Sequence, residues 1–179
     1  MQATNVLHFW FDELTPQQHF AKDAALDDTI RTRFGATLEA AARCELFAWR
    51  STPEGRLAEI LVLDQFSRNV YRDTPRAFAQ DALALVLAQE LVASVHDRSL
   101  PLAQRSFAYM PYMHSESALV HAQAIALFAQ PGMEDSLRFA LRHKDIIDRF
   151  GRYPHRNALL GRASSAKELA FLNEPGSSF

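Results

Sequence analysis

Residues 151–157 of this chain contain two arginines and a histidine. Arg152, His155 and Arg156 flank Pro154, and proline is favoured at the first position of a helix because its φ is preset and its missing N–H would be orphaned there. The free N–H groups of a first helical turn make that end positive. Two more positive charges are unfavourable there unless an anion neutralises them. The segment therefore predicts either a bound anionic ligand or a carboxylate from elsewhere in the fold.

Acid–base chemistry in this segment would depend on His155. Cationic neighbours lower the pKa of an imidazole and favour its neutral form, which accepts a proton near neutral pH. Asp64 and Glu116 are carboxylates that could orient such an imidazole, so these three are the predicted catalytic residues. The sequence contains no nucleophile elbow, phosphate-binding glycine loop or dinucleotide fingerprint, and it leaves open whether the protein is an enzyme.

A second set of polar residues lies on the predicted helix over residues 53–68. On a helical wheel the rest of this helix is apolar on nearly all sides. Such a helix is buried, so Asp64 and Arg68 must have partners in or at the edge of the core. One interpretation is a simple ion pair, because residues four apart are neighbours on a helix surface. The other interpretation is the polar wall of a pocket, because one ion pair does not need so many hydrogen-bonding residues. This wall consists of Asp64, Gln65, Arg68 and Asn69, and Arg72 and Asp73 extend it into the following turn.

A small-molecule site is the first functional hypothesis. Arginine suits a carboxylate or phosphate group because its planar fork binds either one through two parallel hydrogen bonds. Neighbouring amides and imidazoles would then hydrogen-bond the rest of the molecule. The predicted ligand-binding residues are Arg68, Asn69, Arg72, His114, Arg152, Arg156 and Asn157.

A helical scaffold is the second hypothesis, and it belongs to a different class of function. Stacked helical hairpins often bind a protein or peptide on a concave surface. The arginine and asparagine motifs would then be buried struts, and Asp64 and Glu116 would neutralise the arginines permanently. No free anion is required in that case.

Composition argues against several other classes. A net charge of −2 and a pI near 6.4 give no basic face for nucleic acid. The apolar run at residues 6–11 is too short for a secretory signal or a membrane span. Cys44 is the single cysteine, so no internal disulfide can form and the predicted compartment is the cytoplasm. His114 and His121 lack the spacing of a zinc site, and we predict no metal or cofactor; the oligomeric state is left open.

Helical periodicity dominates the chain, and the alternation typical of strands is absent. The pattern predicts a single all-α domain over residues 1–172, followed by a frayed tail at 173–179. We expect about seven to nine helices in antiparallel hairpins, packed as a tetratricopeptide-repeat-like array or bundle. Four signals mark helix starts: Thr15-Pro16, Thr52-Pro53, Thr74-Pro75, and Ser165 followed by Glu168. The predicted helices are 4–11, 23–43, 54–68, 75–95, 102–110, 116–129, 134–150, 154–160 and 165–172.

Two further expectations concern helix length and side-chain burial. We expect Pro111 to interrupt a short aromatic helix. On the helix over 134–150, a stripe with core spacing includes Phe139 and His143. A lone histidine on such a stripe is more often a hydrogen-bonded core residue than a ligand, so His143 is left outside the predicted site.

Three segments carry a resemblance to a known family. They are LDQFSRNVYRDTPR at 63–76, PYMHSE at 111–116 and FGRYPHRN at 150–157, and matches at Phe9–Phe11 and Ser164–Leu172 extend them over nearly the whole chain. Together they resemble the bacterial domain-of-unknown-function family nine-two-four (DUF924). The resemblance implies an all-helical fold similar to tetratricopeptide-repeat hairpins. It implies no particular reaction, substrate or partner.

Overall fold

The computed structural model describes residues 1–178, and Phe179 lies outside the described residues. The described residues form helices and turns and no strand, so the all-α prediction is confirmed. A π-helical turn, Val62–Phe66, joins two helical segments into one rod, which leaves eight rods, within the predicted seven to nine. The segments are α1 (Ala3–His8), α2 (Ala24–Ala42), α3 (Pro53–Leu61), α4 (Ser67–Val70), α5 (Asp81–Ala93), α6 (Leu102–His114), α7 (Ala118–Phe128), α8 (Glu134–Phe150) and α9 (Ala166–Leu172).

Polar side chains cap helices at two of the four positions that the sequence marks. The other two predictions are wrong, because turns follow Thr15 and no side-chain hydrogen bond caps the 3₁₀ turn after Thr74. The Thr52 hydroxyl accepts a hydrogen bond from the N–H of Gly55 at the start of α3. Ser165 and Glu168 each accept a hydrogen bond from the other's backbone N–H at the start of α9. These caps satisfy N–H groups that have no partner within their own helix.

The rod made of α3 and α4 lies at the centre of the fold. Helices α1, α2, α5 and α6 pack against it, and α7 and α8 follow, each packed on the helix before it. Every residue from Leu57 to Phe66 is buried, as predicted for a helix that is apolar on nearly all sides. The Phe34 ring lies 4.9 Å from that of Phe9 and 5.0 Å from that of Phe66. Aromatic contacts therefore join α2 to the rod and to the π-helical turn that follows α1.

Pro111 lies inside α6, and the predicted interruption at this residue is wrong. Proline cannot donate a hydrogen bond to the carbonyl four residues earlier. Here the helix runs on for three residues, to His114, despite that loss. Tyr109 and Tyr112 on either side are almost fully buried, so packing holds the turn in place.

The helix predicted over 154–160 is also wrong in type and length. Only Pro154–Arg156 is helical, as one 3₁₀ turn, and turns follow as far as residue 161. Gly161 has a φ of +65°, and the N–H of Arg162 donates to the carbonyl of Asn157. The chain therefore bends back before a helix can propagate, and no long positive helix end forms.

Phe139 is 51% exposed, although its spacing on α8 predicted a core position. His143 on the same stripe is buried and donates from Nδ1 to the carbonyl of Phe139, which confirms its interpretation as a hydrogen-bonded core residue. His143 is covered by Tyr153, whose ring centre lies 5.7 Å away. At the C-terminal end of α8 the Phe150 ring lies 5.0 Å from the Phe171 ring of α9.

The chain after α9 forms turns. The Ser177 hydroxyl donates to the carbonyl of Leu172, and Ser177 is buried. Fraying of residues 173–179 stays a prediction, and its last residue lies outside the described residues. Over residues 1–178, no helix combines the length and the apolar character needed to cross a membrane.

Gly55→Ala is expected to lower the free energy of unfolding by about 2 kcal/mol. A Cβ on Gly55 would lie 2.0 Å from the carbonyl oxygen of Trp49, so the backbone would have to shift. Gly35→Ala is the matched control, because Gly35 lies inside α2 with open space at its Cβ, and it should stabilise by roughly 0.5–1 kcal/mol. Urea unfolding measures both changes. Equal effects of the two substitutions would contradict the close approach at Gly55.

Candidate functional site

The three motif segments meet in one polar cluster at the edge of the core. Asp64 lies on the π-helical turn, Arg68 on α4 and His114 at the last residue of α6. Arg156 enters from the 3₁₀ turn after α8, and Asp81 from the first turn of α5. We call these five residues the central cluster.

Asp64 is the most buried member of the central cluster, with 1% of its side chain exposed. Its Oδ1 lies 2.9 Å from Arg68 Nη1 and 2.7 Å from His114 Nδ1, and its Oδ2 accepts a hydrogen bond from Gln65. Burial alone would raise the pKa of Asp64, but Arg68 and His114 hold it well below its usual range. The ion pair predicted between Asp64 and Arg68 is confirmed, and His114 is an additional partner.

Asp81 joins the two guanidinium groups of the central cluster. Its carboxylate lies 3.1 Å from Arg68 Nη1 and 3.0 Å from Arg156 Nη1. Arg156 also donates from Nη2 to the carbonyl of His114, and its guanidinium lies 4.5 Å from the ring centre of Phe78 and 4.7 Å from that of Tyr153. Arg156 is therefore held on both its polar edge and its flat faces.

The central cluster is balanced in charge. Two carboxylates, Asp64 and Asp81, face two guanidinium groups, Arg68 and Arg156. Burial lowers the pKa of His114, although the charge of Asp64 opposes the shift, so the imidazole is neutral near pH 7. The anion expected beside Arg156 is thus supplied by the protein itself.

The hydrogen bond to Asp64 sets the tautomer of His114. An ionised carboxylate can only accept, so Nδ1 of His114 carries the proton and Nε2 keeps a lone pair. The imidazole is 15% exposed. A neutral imidazole oriented by a buried carboxylate is the arrangement that a general base requires.

Arg72 and Asn69 meet a different carboxylate. Asp27 of α2 accepts two hydrogen bonds from Arg72, at 2.5 and 2.7 Å, and one from the Asn69 amide at 2.8 Å. Burial raises the pKa of Asp27, but the bonds from Arg72 and Asn69 outweigh it and lower the pKa. The structure thus places these two predicted ligand-binding residues on an internal partner.

Arg152 and Asn157 converge on Glu168 of α9. Arg152 donates to both carboxylate oxygens, at 2.7 and 2.9 Å, and Asn157 donates to one of them at 3.2 Å. The hydrogen bond from Arg152 is the largest cause of a pKa of Glu168 far below its usual value. Glu168 therefore serves both as a helix cap and as the counterion of Arg152.

Glu116 holds the 150–157 segment against α7. It accepts two hydrogen bonds from Arg162, at 2.6 and 2.9 Å, and one from the backbone N–H of Tyr153 at 2.7 Å. Burial raises the pKa of Glu116, but the hydrogen bonds from Arg162 and from the backbone of Tyr153 outweigh burial, so the pKa is lower than its usual value. This predicted catalytic carboxylate is thus an anchor for the backbone.

Three imidazoles adjoin Tyr153, and a fourth lies next to one of them. The ring centres of His143, His155 and His121 lie 5.7, 5.5 and 6.2 Å from that of Tyr153, and His114 lies 6.3 Å from His143. Burial, assisted by Arg156, lowers the pKa of His155 to about 4, which is the direction that the sequence predicted.

Sequence reasoning missed three of the carboxylates that decide this arrangement. Glu168 was recognised only as part of a helix start, and not as the counterion of Arg152. Asp27 lies at helical spacing from the buried Ile30 and Phe34, and an acid on that apolar stripe could have been noticed. Asp81 gave no such signal, because an acid in the first turn of a helix is ordinary. The roles predicted for the catalytic and ligand-binding residues stay predictions.

Two depressions on the described surface lie away from the central cluster. One, of about 400 Å³, is lined by Arg149, Phe150, Lys167, Ala170 and Glu174, and a smaller one of about 100 Å³ by Arg138, Phe139 and Arg142. Over residues 1–178, no group of three or more histidine, cysteine or acidic side chains is placed to hold a metal ion.

Comparison with known families decides the assignment of the chain. The family model for bacterial proteins of unknown function (DUF924) matches residues 6–176. The chain belongs to this family. Membership of DUF924 confirms the resemblance carried by the three motifs, all of which lie within the matched range.

A solved structure supports the DUF924 fold. The structure of a protein of unknown function, ATU0120, from Agrobacterium tumefaciens is 38% identical in sequence, with a TM-score of 0.91 over 96% of each chain. No curated protein matches the chain. The comparisons therefore establish family and fold, and the function has to be argued from the geometry.

Proposed function

We propose that this DUF924 protein is a helical scaffold that binds a protein or peptide partner, with the motif residues as its buried struts. The observation that carries the proposal is the pairing of the motif arginines. Arg68 pairs with Asp64 and Asp81, and Arg156 pairs with Asp81. Arg72 and Arg152 have carboxylates of their own. A site built to capture an anion would leave at least one guanidinium without such a partner.

The surface of the fold supports the same proposal. Small-molecule sites are usually concave cavities that enclose most of the ligand. The depression at Arg149 is lined by α8, α9 and the turn after α9, and the one at Phe139 by α8 alone. Shallow grooves along helices suit the side chains of a partner segment.

Selection from a library of random peptides of about 12 residues, displayed on phage, tests the scaffold directly. We expect the intact protein to enrich peptides with a shared pattern, and isothermal titration should give dissociation constants in the micromolar range, about −8 kcal/mol. Failure to enrich any peptide above background would contradict the scaffold.

Anions provide a second test, which opposes the scaffold to the small-molecule hypothesis. Phosphate, sulfate and citrate at about 10 mM should raise the melting temperatures of the wild type and of Arg156→Lys by the same amount. The general effect of these salts acts on both proteins, and a further shift requires a binding site in the native state. Lysine keeps the charge of Arg156 and removes its fork. A shift of several degrees confined to the wild type would instead favour an anion site at Arg156.

The Asp64–His114 pair supports a second candidate function, an acid–base site for a small anionic molecule. His114 Nδ1 lies 2.7 Å from Asp64 Oδ1 and carries the proton, so His114 Nε2 keeps its lone pair. Under this candidate His114 takes the role of base that the sequence assigned to His155.

Hydrolysis of p-nitrophenyl acetate and p-nitrophenyl phosphate tests this candidate. His114→Gln should lower the rate about 100-fold or more if His114 is the base. His96→Gln is a control on an exposed histidine outside the cluster. A wild-type rate equal to that of buffer would exclude the site for both ester classes.

A further inference from the structure

Arg149 differs from the arginines of the motifs. No acidic side chain of residues 1–178 lies within ion-pair distance of its guanidinium, which instead rests over two aromatic rings, 4.9 Å from the centre of Phe150 and 5.0 Å from that of Phe171. Stacking limits the rotamers of the side chain, so less entropy is lost when a carboxylate binds. Arg149 is therefore a positioned cation whose charge is not neutralised by a neighbour.

The same combination of arginine and aromatic ring recurs one heptad earlier on α8. The Arg142 guanidinium lies 5.8 Å from the ring centre of Phe139, and it too has no acidic partner in the described part of the chain. Positions 142 and 149 lie on the same side of the helix, about 10 Å apart along its axis. Both depressions of the surface lie along this side.

The chemistry of this side is cationic and aromatic, with three acids that limit it. Lys167 also lines the larger depression without an acidic partner among the described residues. Glu174 lines the same depression, and the exposed Asp145 lies between Arg142 and Arg149 on the helix surface. The third acid is the exposed Asp135, which pairs with Arg138 at 2.5 Å. These three acids would repel a negatively charged partner.

We propose that the outer side of α8, from Arg138 to Phe150, together with Lys167 of α9, binds an acidic peptide segment. Two carboxylates of the segment, about 10 Å apart, contact Arg142 and Arg149. Apolar side chains beside them cover Phe139 and Phe150. The inference rests on the proposed scaffold function and assigns it a surface and a class of partner.

Fluorescence anisotropy with the peptides selected from the library tests this surface. We expect the selected peptides to be rich in Asp and Glu next to aromatic or aliphatic residues. Arg142→Gln combined with Arg149→Gln should weaken binding about tenfold, the equivalent of two exposed ion pairs, and Asp145→Asn should strengthen it. Arg98→Gln, at an exposed arginine outside α8, is the matched control and should leave binding unchanged.

The outcomes separate the surface from the scaffold. Selected peptides that bind the double variant as tightly as the wild type would overturn the α8 surface and leave the scaffold standing. An empty selection would overturn both. Displacement of the peptides by about 10 mM inorganic phosphate, but not by chloride of equal ionic strength, would identify a small-anion site and overturn the peptide assignment. The melting temperature of each variant shows that it is folded, since the exchanged side chains are exposed or have no ion pair.

Discussion

Replacing Arg156 with alanine is expected to lower the free energy of unfolding by about 3 kcal/mol or more. The guanidinium is only 8% exposed and lies between the rings of Phe78 and Tyr153. Its removal leaves a void between the rings and takes away one of the two cations that neutralise Asp81. Urea unfolding at neutral pH, followed by circular dichroism, measures the loss.

Two further variants show whether charge or shape accounts for this effect. Arg98→Ala removes an exposed arginine and should change the free energy of unfolding by less than about 0.5 kcal/mol. Arg156→Lys keeps the charge without the fork and should lie between the alanine variant and the wild type. An Arg156→Ala protein as stable as the wild type would show that Arg156 does not stabilise the fold. That result would favour the anion site over the structural role of the central cluster.

Lowering the pH from about 7.5 to about 5 is expected to cost about 2 kcal/mol of stability for each of two imidazoles, that of the buried His143 and that of the partly buried His155. Burial, with His114 nearby, lowers the pKa of His143 from 6.5 to about 3, and burial with Arg156 lowers that of His155 to about 4. The native state then binds fewer protons than the unfolded state. The stabilisation is therefore complete above about pH 6.5 and declines as the pH falls toward the native pKa values.

His143→Phe isolates one part of this pH effect. The variant lacks the His143 imidazole, so its loss of stability between the two pH values should be about 2 kcal/mol smaller than that of the wild type, in which other histidines with lowered pKa values also titrate. The carboxylates with lowered pKa values, such as Asp64 and Glu168, add their losses only at lower pH. Urea unfolding of both proteins at both pH values gives the comparison. Equal losses would show that the titrating groups lie elsewhere.

Helix positions were largely predictable because their causes are local. The caps at Thr52 and Ser165 satisfy N–H groups within three residues, and the burial of 57–66 follows from apolar residues on nearly all sides of one helix. The wrong predictions at Pro111 and at residues 154–160 concern places where packing and a glycine turn overrode local propensity.

The candidate site was predictable only in part. The Asp64–Arg68 pair obeys the rule for residues four apart on a helix, and the structure contains it. Arg72 and Asp27 are 45 residues apart, and Arg156 and Asp81 are 75 residues apart. No rule of spacing connects them, since their contact depends on which helices pack side by side.

The sequence by itself determined that the chain is all-α, where most helices begin, and that Asp64 and Arg68 lie on a buried rod. Only the tertiary structure decided that Arg152 and Arg156 face carboxylates, and that Arg142 and Arg149 face none among residues 1–178. The physical reason is that a helical pattern depends on neighbours within four residues, whereas a counterion is chosen by the packing of distant helices.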